Sequence, residues 1–415
     1  MRQLLPRRKR SVFSVIKASS RCLKTVTCYF YSLANQAASS LTRTPINLFL
    51  ENMTIETPEH STLAPAALSK SVSVSPVYQQ VMSLNAYQNP HGYIEYAVGR
   101  IEYALRKRSL SHDDTEHLVA YPEPRIRIIK ELGKCQRLGQ TPDGKSIFLF
   151  EYQRNSSVMR ELGRLRALTF KVVGEGTKQL RDTDRFDQYY KHIVLWDDSA
   201  AEIVGSYRIG EAHLYTKNHA KPLYTEDLFD YQPDMRAIFP KAIELGRSFI
   251  QPKYWSKRGL DYLWMGIGAY LSANPKIQYL FGAVSISNEF PNLAKHQIVA
   301  CFQHHFQPEN HHALAKPKLP FKVDRGVLEN YRDLHFDESL VQLKHTLKKQ
   351  NVVLPTLYKH YADLCEARGT QFIDFNVDPK FSHCIDGLIL VDLSYIKDKK
   401  KRRYLDPHTA SKHKF

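Results

Sequence analysis

The sequence has no closely spaced cysteine pair. Its six cysteines stand at 22, 28, 135, 301, 365 and 384, and no two have CxxC spacing. That argues against a cysteine-held zinc site and a disulfide framework, and fits a reducing compartment. No run approaches the roughly 20 apolar residues of a membrane-crossing helix. The nearest stretch, 26–34, is too short and carries Thr, Tyr and Ser. Residues 1–10 are basic and a short apolar region follows, but no small-residue cleavage site does, so no secretory signal is read. Acid is scarce: 42 Asp and Glu stand against 59 Lys and Arg, a net charge of +17. Acidic partners are therefore expected, in the form of nucleic acid, anionic lipid or an acidic protein. There is no internal repeat.

What remains is ample. The 415 residues, 43% hydrophobic and 11% aromatic, suffice for two or three domains and a sizeable core. Residues 1–52 carry nine Lys or Arg against one acid, and 53–76 are rich in Ser, Thr, Pro and Ala. Together, 1–76 reads as a basic, disordered arm. One reading gives it contact with anionic lipid; the other has translation begin at Met53. Residues 77–144 read as a helical region and linker, with helices over 78–108 and 126–138. A turn at Thr141-Pro-Asp-Gly-Lys145 opens a core over 145–310. There, strands over 147–152, 190–197, 202–209, 242–250 and 278–285 alternate with helices over 156–173, 260–271 and 291–306. That order predicts an α/β fold, a mixed sheet with helices on both faces. Residues 311–405 read as a C-terminal α+β extension and 406–415 as a tail.

The stretch Ala242-Ile-Glu-Leu-Gly-Arg-Ser-Phe-Ile250 places Glu244 and Arg247 inside a strand. Each charge is costly to desolvate without a partner. An ordinary structural ion pair would explain both. A basic, aromatic loop, 251–259, then leads into a helix, a place suited to hold a phosphate. Further charges lie on separate elements: Arg166 on the first core helix, Asp182, Asp184 and Asp187 before a strand, and Arg208 near a strand end. In α/β sheets such positions build sites, although surface pairs contribute little.

The pattern Leu165-Arg-x-x-x-Phe170, Asp182-x-Asp-x-x-Asp187, His192, Val204-Gly-x-Tyr-Arg208 and Glu244-Leu-Gly-Arg247 resembles the ornithine acyltransferases of the GNAT superfamily, often labelled hemolysin-like in bacteria. It is most similar to the N-acyltransferase half of bifunctional ornithine lipid synthases. Val173-Gly-Glu-Gly-Thr177, Arg247-Ser-Phe-Ile-Gln-Pro252, Ser285-Ile-Ser-Asn288 and Pro355-Thr-Leu-Tyr358 carry that likeness across about 126–405. The O-acyltransferase half is not expected, since 125 residues are too few for it. The acyl-homoserine-lactone synthases are similar at the same charged positions.

The resemblance implies a GNAT-like fold and transfer of a 3-hydroxyacyl group from acyl carrier protein to an amino-acid amine. Ornithine is the expected acceptor and lyso-ornithine lipid the product. The alternatives are a lactone-type synthase and a non-catalytic homologue that binds acyl carrier or membrane. No permanent cofactor and no metal are expected. The donor is the acyl-phosphopantetheine of the carrier, with acyl-coenzyme A as the other candidate. Partners are the acidic carrier and an anionic membrane surface, not nucleic acid. The location implied is cytoplasmic, with peripheral attachment to the inner membrane.

An α-amino group of pKa about 8 is largely protonated at pH 7, so amide synthesis needs a base. Glu244 is the candidate, with Arg247, Asp184 and Asp187 in the catalytic set. Arg208, Arg166, Asp182 and Ser285 are candidates for substrate binding. Arg166 is equally readable as a solvated helix residue, and Ser285 as a strand serine bonded to backbone. Lys257, Arg258 and Gly259 are assigned to the donor's phosphate, although the glycine pattern of coenzyme A users is not cleanly present. His192-Ile-Val-Leu-Trp-Asp197 matches the His-x4-Asp string of glycerolipid acyltransferases. On a strand, however, these two lie on opposite faces, roughly 17 Å apart.

Overall fold

The computed structural model describes residues 119–215, 221–255 and 257–406. The expected arm over 1–76, the helix over 78–108 and most of the tail lie outside the described residues. Residues Leu110–Phe415 form one structural unit. It runs α1 (Arg125–Leu132), β1 (Gln136–Gln140), β2 (Ser146–Glu151), α2 (Ser157–Val172), β3 (Lys191–Asp197), β4 (Glu202–Glu211), β5 (Phe229–Tyr231) and α3 (Pro233–Ile238). It continues with β6 (Ala242–Ile250), α4 (Gly259–Ala273), β7 (Tyr279–Ile286), α5 (Asn292–Phe306), α6 (His311–Leu314), β8 (Ala315–Pro317) and α7 (Arg325–Glu329). It closes with α8 (Phe336–Lys349), α9 (Thr356–Ala362), β9 (Thr370–Asp378), β10 (Cys384–Asp392) and α10 (Asp398–Tyr404).

Eight strands form one sheet in the order β1-β2-β3-β4-β6-β7-β10-β9. Every pair in it is antiparallel except β6 and β7. This is the mixed sheet expected, with helices on both faces. Alternation along the strands sends side chains to two cores. Ile193, Tyr207, Ile243, Leu245 and Val284 pack against Leu263, Ile267, Phe302 and Tyr358 of the helices on one face. Phe150, Val194, Trp196 and Phe249 pack against Val158, Leu162 and Leu165 of α2 on the other.

Two expectations change. The helix read over 126–138 stops at Leu132, because Gly133 ends it and Gln136–Gln140 pairs with β2 across the 141–145 turn. Of the strands in 311–405, β9 and β10 continue the core sheet, while β8 pairs with β5 in a separate two-stranded sheet. β10 pairs with β7 along its whole length, from Ile385↔Ile286 to Asp392↔Tyr279, and β9 pairs with β10.

The parallel pairing of β6 and β7 is brief. It holds at Ala242↔Tyr279, Ile243↔Leu280 and Glu244↔Phe281, and stops there. Beyond Glu244 the strands diverge. At the same point the register of β6 against β4 breaks between Ser206 and Arg208, opposite Arg247 and Ser248. Arg247 has φ +48°, an uncommon conformation for a non-glycine residue. A bulge at a strand parting is a recurrent feature of sites.

Candidate active site

A cavity of about 770 Å³ opens where β6 and β7 part. Its walls include Gly246, Arg247 and Ser248 of the bulge, Ser285 of β7, Asp386 of β10, and Glu175 from the turn after α2. The rest is mostly apolar: Phe170, Val172, Leu245, Leu260, Phe290 and Leu354 are among its lining. That volume falls within the usual range for a small-molecule site, about 300–1,000 Å³.

Glu175 reaches the cavity because of how α2 ends. Gly174 takes φ +72°, the left-handed conformation that glycine adopts without a Cβ clash. The Gly174 N–H then donates to the Lys171 carbonyl and the Glu175 N–H to the Phe170 carbonyl at 2.8 Å. This double closure is the Schellman turn. Hydroxyls fasten it from outside: Ser287 donates to the Gly174 carbonyl at 3.0 Å and Ser382 to the Gly176 carbonyl at 2.7 Å. Glu175 is thereby turned under the sheet, where its carboxylate accepts from Ser285 Oγ at 2.8 Å. Burial pushes its pKa up to about 7, against the opposing pull of the Ser285 bond and the Arg247 charge.

Asp386 lies directly across from Ser285 in the β10–β7 ladder, so the two share a face. It is buried, and its Oδ2 has no partner. Burial raises its pKa well above the carboxylate range, with Asp378 and Glu175 adding to the effect. Asp378 accepts from Tyr224 Oη at 3.1 Å, and Tyr224 Oη in turn accepts from Arg247 at 3.2 Å.

The charges predicted from sequence do come together, mostly as a buried network beside the cavity. Arg166, fully buried, donates to Asp187 at 2.8 Å and lies 3.2 Å from His192 Nδ1. Arg208 donates to Asp184 at 2.7 Å and Asp187 at 3.1 Å. Arg247 stands 3.1 Å from Asp182 and 3.5 Å from Asp184. Burial works against ionising Asp187, but the Arg166 and Arg208 guanidiniums outweigh it and hold its carboxyl far below the usual range. Asp184 is likewise held low against burial by Arg208. His192 is neutral, pushed down to about 3 by burial and the Arg166 charge. Of this network, Arg247 alone lines the cavity.

Glu244, the expected base, is placed elsewhere. It is buried outside the cavity wall, with burial raising its pKa. Its oxygens accept from the backbone N–H of Thr225 at 2.7 Å and of Tyr224 at 3.1 Å, and from the hydroxyls of Tyr190 and Thr225. Four donors leave it little capacity to take a proton from a substrate. Ser285 bonds to a side chain and not to backbone as one reading had it. Arg166 is not solvated. In the proposed phosphate loop, Lys257 lines the cavity and Arg258 is exposed at the start of α4. Gly259 packs against Ile250, whose side chain a Cβ would meet at 2.9 Å.

Glu175 and Asp386 line the cavity without being among the residues the sequence singles out. The signal for Glu175 was its two flanking glycines at the end of a helical pattern. Asp386 gave none without the β10 register.

Residues 165–265 match the acetyltransferase (GNAT) domain family. A glycine N(alpha)-acyltransferase of Phocaeicola vulgatus is 28% identical over 292 residues, covering 66% of this chain and 89% of that protein. An L-ornithine N(alpha)-acyltransferase of Brucella abortus is 34% identical over 136 residues, covering 30% of this chain and 45% of that protein. Among solved structures, the AHL synthase LasI is similar with a TM-score of 0.32 and 11% identity, over 64% of this chain and 95% of that one.

Proposed function

The chain carries a GNAT acetyltransferase domain and is an acyltransferase, and from that premise we propose that it moves an acyl group from a carrier thioester to the α-amine of an amino acid. The observation that carries this reading is the Glu175–Ser285 pair at the parting of β6 and β7, in a mostly apolar cavity. A base works best with a pKa near the operating pH. At about 7, Glu175 is matched to an α-amine of pKa about 8. The amine nitrogen attacks the thioester carbon, the new C–N bond forms, and the C–S bond breaks. The amine proton passes to Glu175 and then to the departing thiolate. Backbone N–H groups of the Arg247–Ser248 bulge are suited to the oxyanion. Arg247 is suited to the acceptor carboxylate. The apolar walls at Phe170, Leu245 and Leu260 suit an acyl chain.

The donor we propose is the acyl-phosphopantetheine of acyl carrier protein. The charge of +17, the exposed Lys257 at the cavity and the exposed Arg258 next to it in the chain support an acidic carrier. The acceptor we propose is ornithine, giving lyso-ornithine lipid. Its second ammonium needs an acceptor, and Asp386 offers a buried oxygen without a partner, on a carboxyl kept neutral by burial that a neighbouring ammonium would draw back toward ionisation. Glycine is the second reading, favoured by the longer match to glycine acyltransferases. The product's fatty chain and the basic surface suit peripheral attachment to an anionic membrane.

Competition between the two amino acids for 3-hydroxyacyl carrier protein, read by mass spectrometry, tests both. Ornithine amide should dominate, and Asp386→Asn should lower kcat/KM for ornithine while sparing glycine. Glycine amide alone, unaffected by Asp386→Asn, selects the second reading. The absence of both amides would sink the amino-acid acylation reading.

A further inference from the structure

Among the described residues, one set of metal-type ligands stands outside the cavity. His311 and His312 open α6, and Asp374 lies on β9, the last strand in the sheet order. Each offers one ligand atom, and the three atoms lie within 4.8 Å of one another. The His311 and His312 rings stand 3.8 Å apart, centre to centre. His311 Nδ1 lies 3.1 Å from the Pro308 carbonyl oxygen. That contact puts the proton on Nδ1 and leaves the Nε2 lone pair for an ion, the arrangement that orients metal-binding histidines. Asp374 Oδ1 accepts from the Phe375 N–H at 2.8 Å, which leaves Oδ2 to ligate.

We propose that His311, His312 and Asp374 bind a divalent transition-metal ion of the zinc class. Two imidazoles and one carboxylate select such ions over magnesium and calcium, which prefer oxygen throughout. Ligand atoms about 2.1 Å from a tetrahedral zinc stand roughly 3.4 Å apart. Loading the ion would draw the ligand atoms together from at most 4.8 Å, and His312 is the exposed member of the set. The ion would fasten α6 to the edge strand β9. Edge strands are commonly protected by a covering segment. Here the cover is the chain after α6, bridged at Pro320↔Asn376. The ion pins that cover one turn before it begins, a structural role separate from acyl transfer.

The test uses the full chain without an affinity tag, stripped with chelator and titrated with Zn²⁺ and separately with Co²⁺. Calorimetry should give one saturable equivalent, visible absorption should report Co²⁺ ligation, and Tm should rise on loading. His312→Ala and Asp374→Asn should each weaken binding about tenfold or more and remove the Tm rise. His304→Ala, at an exposed histidine outside the set, should bind as the native chain does. The proposal is overturned if no saturable equivalent binds, or if binding survives unchanged in both His312→Ala and Asp374→Asn.

Discussion

Burial lifts the Glu175 carboxyl from 4.5 to about 7, and this has a consequence for stability as well as for rate. A raised carboxyl pKa means that the folded chain holds this proton more tightly than the unfolded one. The group is neutral in both states below about 4.5, and folding is then unpenalised. As pH rises from about 4.5 to about 7, the unfolded chain releases the proton first and stability falls, by roughly 3 kcal/mol for this group. Glu175→Gln should therefore raise Tm at pH 8 and leave it unchanged at pH 4. The same substitution should lower kcat about 10²–10⁴-fold and abolish the rise of kcat/KM with pH near 7 that Glu175 as base would give the native chain. A native pH profile in Glu175→Gln would remove Glu175 from the chemistry.

At the scale of elements, the close approach of β6 and β7 at the edge of their parting depends on Gly282. A Cβ there would lie 2.0 Å from the Leu245 carbonyl oxygen, a backbone atom that cannot swing aside. Gly282→Ala should force the strands apart below the cavity, costing about 1–3 kcal/mol as overpacking does. Chemical denaturation would show it, and an unchanged midpoint would mean that the strand shift is free. Most elements here were legible from sequence. The five long strands and three long helices between Ser146 and Phe306 lie nearly where the sequence predicts them, because their apolar residues keep regular periods, while the short β5 and α3 give no such signal. Arg166 and Arg208 can be singled out because charges amid apolar strands and helices are conspicuous. Glu175 sits in a polar loop where an acid is ordinary. Its partner Ser285 lies 110 residues away, and only folding reveals the pair. Asp386 becomes a site residue only through the long-range register of β10 on β7. β1 was hidden because Gln136–Gln140 is short and polar, without the alternation of a buried strand.

Across the whole molecule, positive charge is unevenly committed. At the C-terminal end, Arg403 pairs with Asp261, and Lys397 and Lys400 pair with Asp363, while Lys399, Lys401 and Arg402 are exposed. Lys257 and the exposed Trp255 line the cavity, and Arg258 is exposed next to Lys257 in the chain. If Lys257 and Arg258 guide an acidic carrier, reversing both to Glu should raise KM for the acyl carrier protein severalfold with kcat little changed. The defect should shrink as salt screens the field beyond about 10 Å at 0.1 M. An unchanged KM would place carrier docking on another surface. The sheet's wiring also bears on how the chain is made. β7 ends at Ile286 and its partner β10 begins at Cys384, a separation of 384 − 286 = 98 residues. At roughly 5–20 residues per second of synthesis, β7 waits about 5–20 s on the ribosome for its neighbour. For that interval the nascent chain holds six of the eight strands of its sheet with an open, apolar border, which makes this stretch the natural footprint for a translation-coupled chaperone.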